Sequence, residues 1–267
     1  MGFSLKRKIR KIRERREKLI KNFIKKSIIE DFYLQLKGFC PVCDNHVIFT
    51  TNETYLRETL DCPICQSLSR ERAFMLVLEK HYPQWRDLHI HESSPCPRGV
   101  SRIMKEQGKY YTGSQYYPDH KFGTMVNGFR NEDLENMTFP DNSFDLVITQ
   151  DVFEHIYNPE KAFKEIARTL KKGGAHIFSI PVINKHKKTE IWATKGDDGK
   201  PVFLKEPEYH GNPVDADGSP VTMHWGYDII DFIKDITGME TSVETYTTNL
   251  EYGIFSIDLD AFVSVKK

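Results

Sequence analysis

Four of the five cysteines stand in two pairs, Cys40-Pro41-Val42-Cys43 and Cys62-Pro63-Ile64-Cys65, and this C-x2-C-x18-C-x2-C spacing restricts what residues 37–70 can become more tightly than any other pattern in the chain. Two thiolates three positions apart on a tight turn can face one ion, and two such turns close a tetrahedral sulfur site, the arrangement that structural zinc prefers. Between the pairs, residues 46–50 and 54–57 read as two short hairpin strands. Disulfides are the competing reading, and a cytoplasmic chain disfavours them. With Cys40, Cys43, Cys62 and Cys65 all serving as ligands, no coordination position stays open, so the zinc is expected to be structural rather than catalytic. Cys96, between Pro95 and Pro97, reads as a loop residue.

The 267 residues, 39% hydrophobic and 12% aromatic, suffice for one full-sized core and a small appendage. The zero net charge conceals a division. Residues 1–26 hold twelve Lys or Arg against Glu14 and Glu17, so the remaining 241 residues carry a matching acidic surplus of ten. A basic arm on an acidic body points to a polyanionic partner for the arm and counts against a nucleic-acid groove on the body. Leu5, Ile9, Ile12, Leu19 or Ile20, Phe23 and Ile24 recur near helical spacing with a break at Arg16, so residues 1–36 read as a broken amphipathic arm. Such a helix suits an anionic membrane surface, where each Lys or Arg contributes up to about 1 kcal/mol. The same composition also suits RNA phosphates. No apolar run reaches the length of a membrane span and no secretory h-region is visible, so the expected location is cytoplasmic, with peripheral contact at the inner membrane face through residues 1–26.

Residues 71–267 read as one α/β body. Apolar strands are expected at 88–91, 110–114, 124–127, 144–149, 175–180, 242–247 and 261–265. The best-marked helix begins at Asn158-Pro159, a cap followed by proline, shows Ala162, Phe163, Ile166, Ala167 and Leu170 on one face, and is expected to stop at Gly173-Gly174. Another carries Ile229, Phe232, Ile233 and Ile236 and stops at Gly238. Strands alternating with helices indicate a parallel sheet covered on both faces, with ligands beyond the carboxyl ends of its strands.

The run from Asp133 to Ile156, DLENMTFPDNSFDLVITQDVFEHI, followed by AFKEIARTLKKGG from Ala162 to Gly174, strongly resembles class I S-adenosylmethionine-dependent methyltransferases of the small-molecule, type 11-like kind. Their wording at these places is an acidic residue, LPFPDNSFDLV, a strand end with a His, and E-x-x-R-x-L-K-P-G-G; Lys172 replaces the proline. The resemblance implies a Rossmann-like sheet flanked by helices, mostly parallel with an antiparallel last strand, preceded here by a zinc ribbon at 37–70 and the basic arm. It implies S-adenosylmethionine as cofactor, with Asp133 accepting from the adenine amino group, Leu134 offering its backbone N–H to the ring, and Gln150 and Asp151 lining the site beyond the fourth strand.

Upstream the chain departs from that pattern. The family ends its first strand with an acid and a G-x-G turn; here the stretch is His89-Ile90-His91-Glu92-Ser93-Ser94-Pro95, with no glycine before Gly99. The resemblance places Glu92 and Ser93 at the cofactor, and at the second strand Gly113 and Gln115, Gln115 standing where an acid usually grips the ribose. Cys62 to Arg72, C-P-x-C-x-S-x-x-R-x-R, together with this altered loop, is similar to methyltransferases of bacterial surface-glycan assembly. That likeness implies a small-molecule or glycan acceptor and fits the basic arm, since glycan intermediates are often carried on membrane lipids.

Methyl transfer from a sulfonium is an in-line displacement, so alignment and exclusion of water should supply most of the rate. The chain lacks an N-P-P-Y-like turn after the fourth strand and a Cys nucleophile there, which favours oxygen as acceptor over nucleobase nitrogen or pyrimidine carbon. Candidate bases are His155 at the strand end and His210 and His224 in the segment 185–225, a long stretch rich in Gly, Pro and charge that reads as a substrate lid. Two other functions compete: an RNA methyltransferase that holds RNA with ribbon and arm, and a non-catalytic zinc-bearing interaction protein.

Overall fold

The computed structural model describes residues 34–212, 217–256 and 259–267. Most of the expected basic arm, residues 1–33, lies outside the described residues, as does Pro213 within the expected lid. The chain divides into two compact units. The first runs through Ala73 and takes in Tyr246–Leu259; the second comprises Phe74–Thr245 and Asp260–Lys267. Residues 246–259 had read as part of the body.

In the first unit, β1 (Leu34–Cys40) pairs antiparallel with β2 (Asn45–Thr51), and Cys40 lies opposite Asn45 so that the first cysteine knuckle is the hairpin turn. Residues 34–36, grouped by sequence with the arm, therefore start a strand. The strand expected at 54–57 is absent: Leu56–Thr59 forms one helical turn, with the Thr59 hydroxyl returned to the Tyr55 carbonyl. The connection 246–259 is pinned to the hairpin by Phe39 N donating to Glu251 O at 2.7 Å. At Gly253 the backbone is left-handed (φ 61°), and a Cβ there would stand 2.5 Å from the Phe49 ring. Only glycine accepts both conditions.

The second unit is built on an eight-stranded sheet. Its strands are β3 (His89–Ser93), β4 (Tyr110–Gln115), β5 (Met125–Val126), β6 (Phe129–Asn131), β7 (Phe144–Gln150), β8 (Leu170–Ser179), β9 (Glu240–Tyr246) and β10 (Leu259–Val265), in the spatial order β9-β10-β8-β7-β3-β4-β6-β5. The pairs β8/β7, β7/β3, β3/β4 and β4/β6 are parallel, and β10 runs antiparallel to β8, as the fold expectation had it. The third parallel strand is β6 rather than 124–127. Asn127 and Gly128, both at positive φ, make a two-residue turn that folds β5 back antiparallel onto β6.

Helices α1 (Ser69–His81), α2 (Gly99–Gln107), α3 (Pro159–Thr169) and α4 (Ile229–Thr237) accompany these strands. Asn158 caps α3 by accepting from Lys161 N at 3.1 Å, and Ala162, Phe163 and Ile166 turn inward to join Ile229 and Ile233 of α4, Val147, Phe178 and Phe262 in one apolar cluster. Phe153 stacks on Phe163 at 4.0 Å within it. The expected stop at Gly173-Gly174 is overturned: α3 ends at Thr169 and β8 begins at once. The two glycines serve the strand, since a Cβ on Gly174 would meet the Asp145 carbonyl oxygen at 2.8 Å and Gly173, at φ 80°, donates to Lys266 O.

His91 of β3, Val147 of β7 and His176 of β8 are register partners across three neighbouring strands. Both imidazoles are fully buried, one bonded to the Ser114 hydroxyl and the other to that of Thr149. Burial brings both down to about 3, helped by the charge of Arg130 for His91 and by His91 itself for His176. An unfolded chain protonates these rings from about pH 6.5 downward. Between that value and the folded one the unfolded state binds more protons, so stability falls as pH falls, by up to about 1.4 kcal/mol per pH unit for each ring. All three tryptophans lie in the second unit, so their fluorescence isolates it. The urea midpoint read this way should drop between about pH 7.5 and about pH 5, and His176→Phe should flatten part of the slope. Equal midpoints at the two pH values would refute the neutral buried pair.

Candidate functional site

The four knuckle cysteines converge. Cys40 Sγ lies 3.6 Å from Cys65 Sγ and Cys43 Sγ 3.8 Å from Cys62 Sγ, and all four sulfurs fall within 4.8 Å of one another. A tetrahedral ion with bonds near 2.3 Å requires sulfurs about 3.8 Å apart, so the donor set fits zinc. Hydrogen bonds from Cys62 and Cys65 hold the Cys40 thiol far below its ordinary value, while burial pushes Cys43 up to about 12. Two further residues of the C-P-x-C-x-S-x-x-R-x-R run support the cluster. Ser67 Oγ is 3.3 Å from Cys40 Sγ. Arg72 is wholly buried over the Phe49 ring and donates to the carbonyls of Leu60 (2.8 Å), Gly253 (2.6 Å) and Ser67. Desolvation lowers this guanidinium to about 10, while negative charge on the sulfurs of Cys40, Cys62 and Cys65 opposes that shift.

In the second unit the carboxyl ends of β7, β3, β4 and β6 lie side by side, and the chain reverses its order of addition between β3 and β7, where ligands of open α/β sheets bind. Glu92, Ser93, Gln115 and Gln150 end these strands, with Asp133-Leu134 and Asp151 just beyond. Glu92 is buried: Oε1 accepts from Ser101 Oγ at 2.6 Å and Gln150 Nε2 at 3.1 Å, and Oε2 from Tyr111 Oη at 2.6 Å. Burial and this carboxylate push the Tyr111 hydroxyl far up. Gln115, also buried, gives its amide to the Pro95 carbonyl at 3.1 Å, and a Cβ on Gly113 would stand 3.2 Å from the Pro95 ring. The side chains of Glu92 and Gln115 are thus committed within the protein. Asp133 tightens its own loop through Oδ1, which accepts from Glu135 N at 2.8 Å. Asp151 takes a left-handed backbone directly after β7 and accepts from Ser179 Oγ at 3.0 Å.

The three sequence-nominated histidines come together with two carboxylates that sequence reasoning passed over. Segment 185–225 is no plain loop. It pairs Glu190–Ile191 with Met223–His224, Ala193–Lys195 with Pro201–Phe203, and Tyr209–His210 with Ser219–Pro220. It is fastened to the turn after β7: Thr222 N donates to Glu154 O at 2.7 Å, Thr222 Oγ1 to Ile156 O at 2.7 Å, and Trp225 Nε1 to Phe153 O at 3.1 Å. His155 Nδ1 donates to Pro220 O at 2.8 Å, which leaves Nε2 as the lone-pair nitrogen, 3.8 Å from Glu154 Oε1. His210 Nδ1 lies 3.8 Å from the same oxygen, and its Nε2 is 3.3 Å from Glu208 Oε1. Glu208 Oε2 meets His224 Nε2 at 2.9 Å, and the His224 ring stacks on Trp192. Glu154 and then Glu208 raise the His210 imidazole, burial opposing them. Glu154 itself is 2% exposed, and neither of its carboxylate oxygens accepts a hydrogen bond. The only sequence trace of the two carboxylates is the neighbour pattern Glu154-His155 and Glu208-x-His210.

Residues 99–178 match the model of a methyltransferase domain. A sarcosine/dimethylglycine N-methyltransferase of Halorhodospira halochloris is 28% identical over 109 aligned residues, which amount to 32% of this chain and 39% of that protein, so the chain spans well under half of that curated relative. Among solved structures, an S-adenosylmethionine-dependent methyltransferase from Mesorhizobium loti superposes with TM-score 0.46 at 17% identity, covering 72% of this chain and 97% of that one. A Haemonchus contortus phosphoethanolamine N-methyltransferase, solved with S-adenosylhomocysteine, does so with TM-score 0.44 at 16% identity, covering 72% and 52%. The sheet order, the antiparallel β10 and the matched domain together define the Rossmann-like methyltransferase fold. No described helix is long and apolar enough to cross a membrane.

Arg72 offers a direct test of how the sulfur cluster is supported. Arg72→Met removes the guanidinium donors to the carbonyls of Leu60, Ser67 and Gly253; Ser67 O keeps Cys62 N at 3.1 Å and Gly253 O keeps the Ser69 hydroxyl at 3.2 Å, so the Leu60 carbonyl is the one left unpaired, at roughly 1–3 kcal/mol. The expected outcome is faster labelling of the knuckle cysteines by a thiol reagent under native conditions, with tryptophan fluorescence unchanged. Labelling at the parent rate would show that the ligands alone hold this unit.

Proposed function

We propose that the chain is an S-adenosylmethionine-dependent methyltransferase acting on a hydroxyl of a small molecule, a sugar or glycan intermediate, with a structural zinc in the Cys40, Cys43, Cys62 and Cys65 cluster. The observation that carries the choice of oxygen is the histidine–carboxylate cluster beyond β7, because a hydroxyl must lose a proton on methylation and a neutral amine need not lose one beforehand. The matched domain and the run from Asp133 to Gly174 support the cofactor. Asp133, with Oδ1 used in its own loop, has Oδ2 to accept the adenine amino group, and Leu134 brings its backbone N–H to the ring. Gln150 and Asp151 border the same end of the sheet.

S-adenosylmethionine, when bound, supplies a sulfonium-activated methyl group whose displacement needs no protein nucleophile. The chain's own residues align the acceptor and manage its proton. His155 Nε2 is set up as the acceptor nitrogen because Nδ1–H is committed to the Pro220 carbonyl. The Glu154 carboxylate, 3.8 Å away, would stabilise the imidazolium that forms. Segment 185–225 supplies His210, His224 and Glu208 and acts as the lid that keeps water out. Residues 1–26 are proposed, on their charge alone, to meet an anionic membrane surface.

Two substitutions separate binding from chemistry. Asp133→Ala should weaken cofactor binding by roughly 1–3 kcal/mol in calorimetric titration with S-adenosylhomocysteine, because the adenine amino group loses its acceptor. His155→Ala should leave that affinity nearly intact and lower turnover on sugar acceptors by roughly 100-fold. Parent-like binding in Asp133→Ala removes the residue assignment. Turnover on amines that survives His155→Ala would replace the hydroxyl with an amine acceptor.

A further inference from the structure

Glu154 is a buried carboxylate without a hydrogen bond. It is 2% exposed, both carboxylate oxygens lack a hydrogen bond, and two imidazole nitrogens, His155 Nε2 and His210 Nδ1, stand 3.8 Å from Oε1. Desolvating a carboxylate without donors costs several kcal/mol, so a fold that keeps one there is expected to give it a cation. The three donor atoms lie within 4.8 Å of one another. Around a tetrahedral ion with bonds near 2.0–2.1 Å they would stand about 3.3 Å apart, a contraction that small side-chain movements supply.

The outer partners of the two imidazoles sharpen the case. A metal-bound His characteristically gives its other ring nitrogen to a carbonyl or carboxylate, which fixes the tautomer and aims the lone pair. Both rings do so here: His155 Nδ1 on the Pro220 carbonyl at 2.8 Å, and His210 Nε2 against Glu208 Oε1 at 3.3 Å. Glu208 is held in turn by His224 at 2.9 Å, whose ring lies against Trp192. An outer shell of this kind meets the needs of a ligated imidazole.

We propose that Glu154, His155 and His210 form a second metal site, distinct from the cysteine cluster, that binds a divalent transition ion of the zinc class. Two imidazoles and one carboxylate suit such ions, whereas calcium and magnesium favour all-oxygen shells. Three protein ligands leave positions open for a hydroxyl oxygen, and an ion there would lower the pKa of that hydroxyl and take over the task given above to His155. The ion's task rests on the methyltransferase reading; its binding does not.

The test is cobalt(II) titration of the full-length, metal-stripped protein. A thiolate-bound cobalt shows intense sulfur charge-transfer absorption, and a nitrogen–oxygen site shows only weak visible bands, so the two sites are told apart in one sample. The expected result is about two equivalents per chain in the parent protein and about one, with the thiolate signature intact, in Glu154→Gln and His210→Ala. Glu208→Gln should still bind at the second site, about 10–100-fold more weakly. His210 is 37% exposed at its side chain, so His210→Ala keeps the test decisive if Glu154→Gln fails to fold. Zinc should also raise the tryptophan-reported melting temperature of the parent and not of His210→Ala. A parent protein that takes up cobalt only at the thiolates, with a titration unchanged in both variants, overturns the site and leaves an ion pair in its place. Loss of methyl transfer with two equivalents bound would instead count against the methyltransferase reading alone.

Discussion

The centre of the second unit depends on where the charge of one buried carboxylate goes. Glu92, at the end of β3, accepts hydrogen bonds from Ser101 on α2, Tyr111 on β4 and Gln150 on β7, so one side chain ties four elements together at the point where strand order reverses. A carboxylate this deep is tolerable only when its lone pairs are filled, and its donors, buried Ser101 and half-buried Tyr111 and Gln150, gain an acceptor in turn. Satisfaction is mutual. The Rossmann-like frame therefore carries at this sheet end an acid that the protein has already used, and a ligand arriving there would meet main chain and the rim residues rather than a bare charge.

Glu154, in the turn after β7, stands under the opposite condition. It is as buried as Glu92, yet neither oxygen accepts a hydrogen bond, and two imidazole nitrogens stand 3.8 Å from Oε1. Two buried carboxylates in one unit, one saturated and one bare, mark different duties: the first holds strands, the second is kept for a proton or an ion. Segment 185–225 makes that second duty possible through main-chain bonds. The Thr222 amide and hydroxyl on the turn after β7, and the Pro220 carbonyl on His155, fix where His210 falls.

How much of this the sequence disclosed follows from the range of the interactions. Spacing within a few residues is legible: two cysteine knuckles implied one sulfur cluster, Asn158-Pro159 implied a helix start, and the long run around PDNSFD implied the sheet and its antiparallel close. Asn127-Gly128 is an equally local hairpin signal, and without it the third strand is expected at 124–127 rather than at Phe129–Asn131. Gly173-Gly174 looked like a helix stop because glycine does end helices, but at this place the constraint was the Asp145 carbonyl of a neighbouring strand, a contact no window of sequence contains. The same holds for Gly253 against Phe49 and for Arg72, whose carbonyl partners lie at positions 60, 67 and 253. The carboxylates at 154 and 208 each sit beside a histidine, and nothing in their separation of more than fifty residues says that they share one cluster.

The altered loop after β3 shows why a missing motif need not be a missing shape. Glycines in a G-x-G turn provide positive φ and room for close approach. Here Ser94 adopts φ 57° and Gly99 φ 55°, so the backbone makes left-handed steps at both ends of the loop with a single glycine. Ser94 N is held by the Ser114 carbonyl at 2.8 Å, and the amide of Gln115 secures the Pro95 carbonyl between them. Strain at a non-glycine residue persists only where surrounding bonds over-determine it, and those two bonds supply that determination. The room is what differs, because the Pro95 ring lies over Gly113 where a glycine turn would leave space. A cofactor bound at this sheet end would accordingly gain more of its affinity from the Asp133-Leu134 side than from the β3 loop, which shifts the burden of recognition from phosphate-like backbone cradling to the adenine edge.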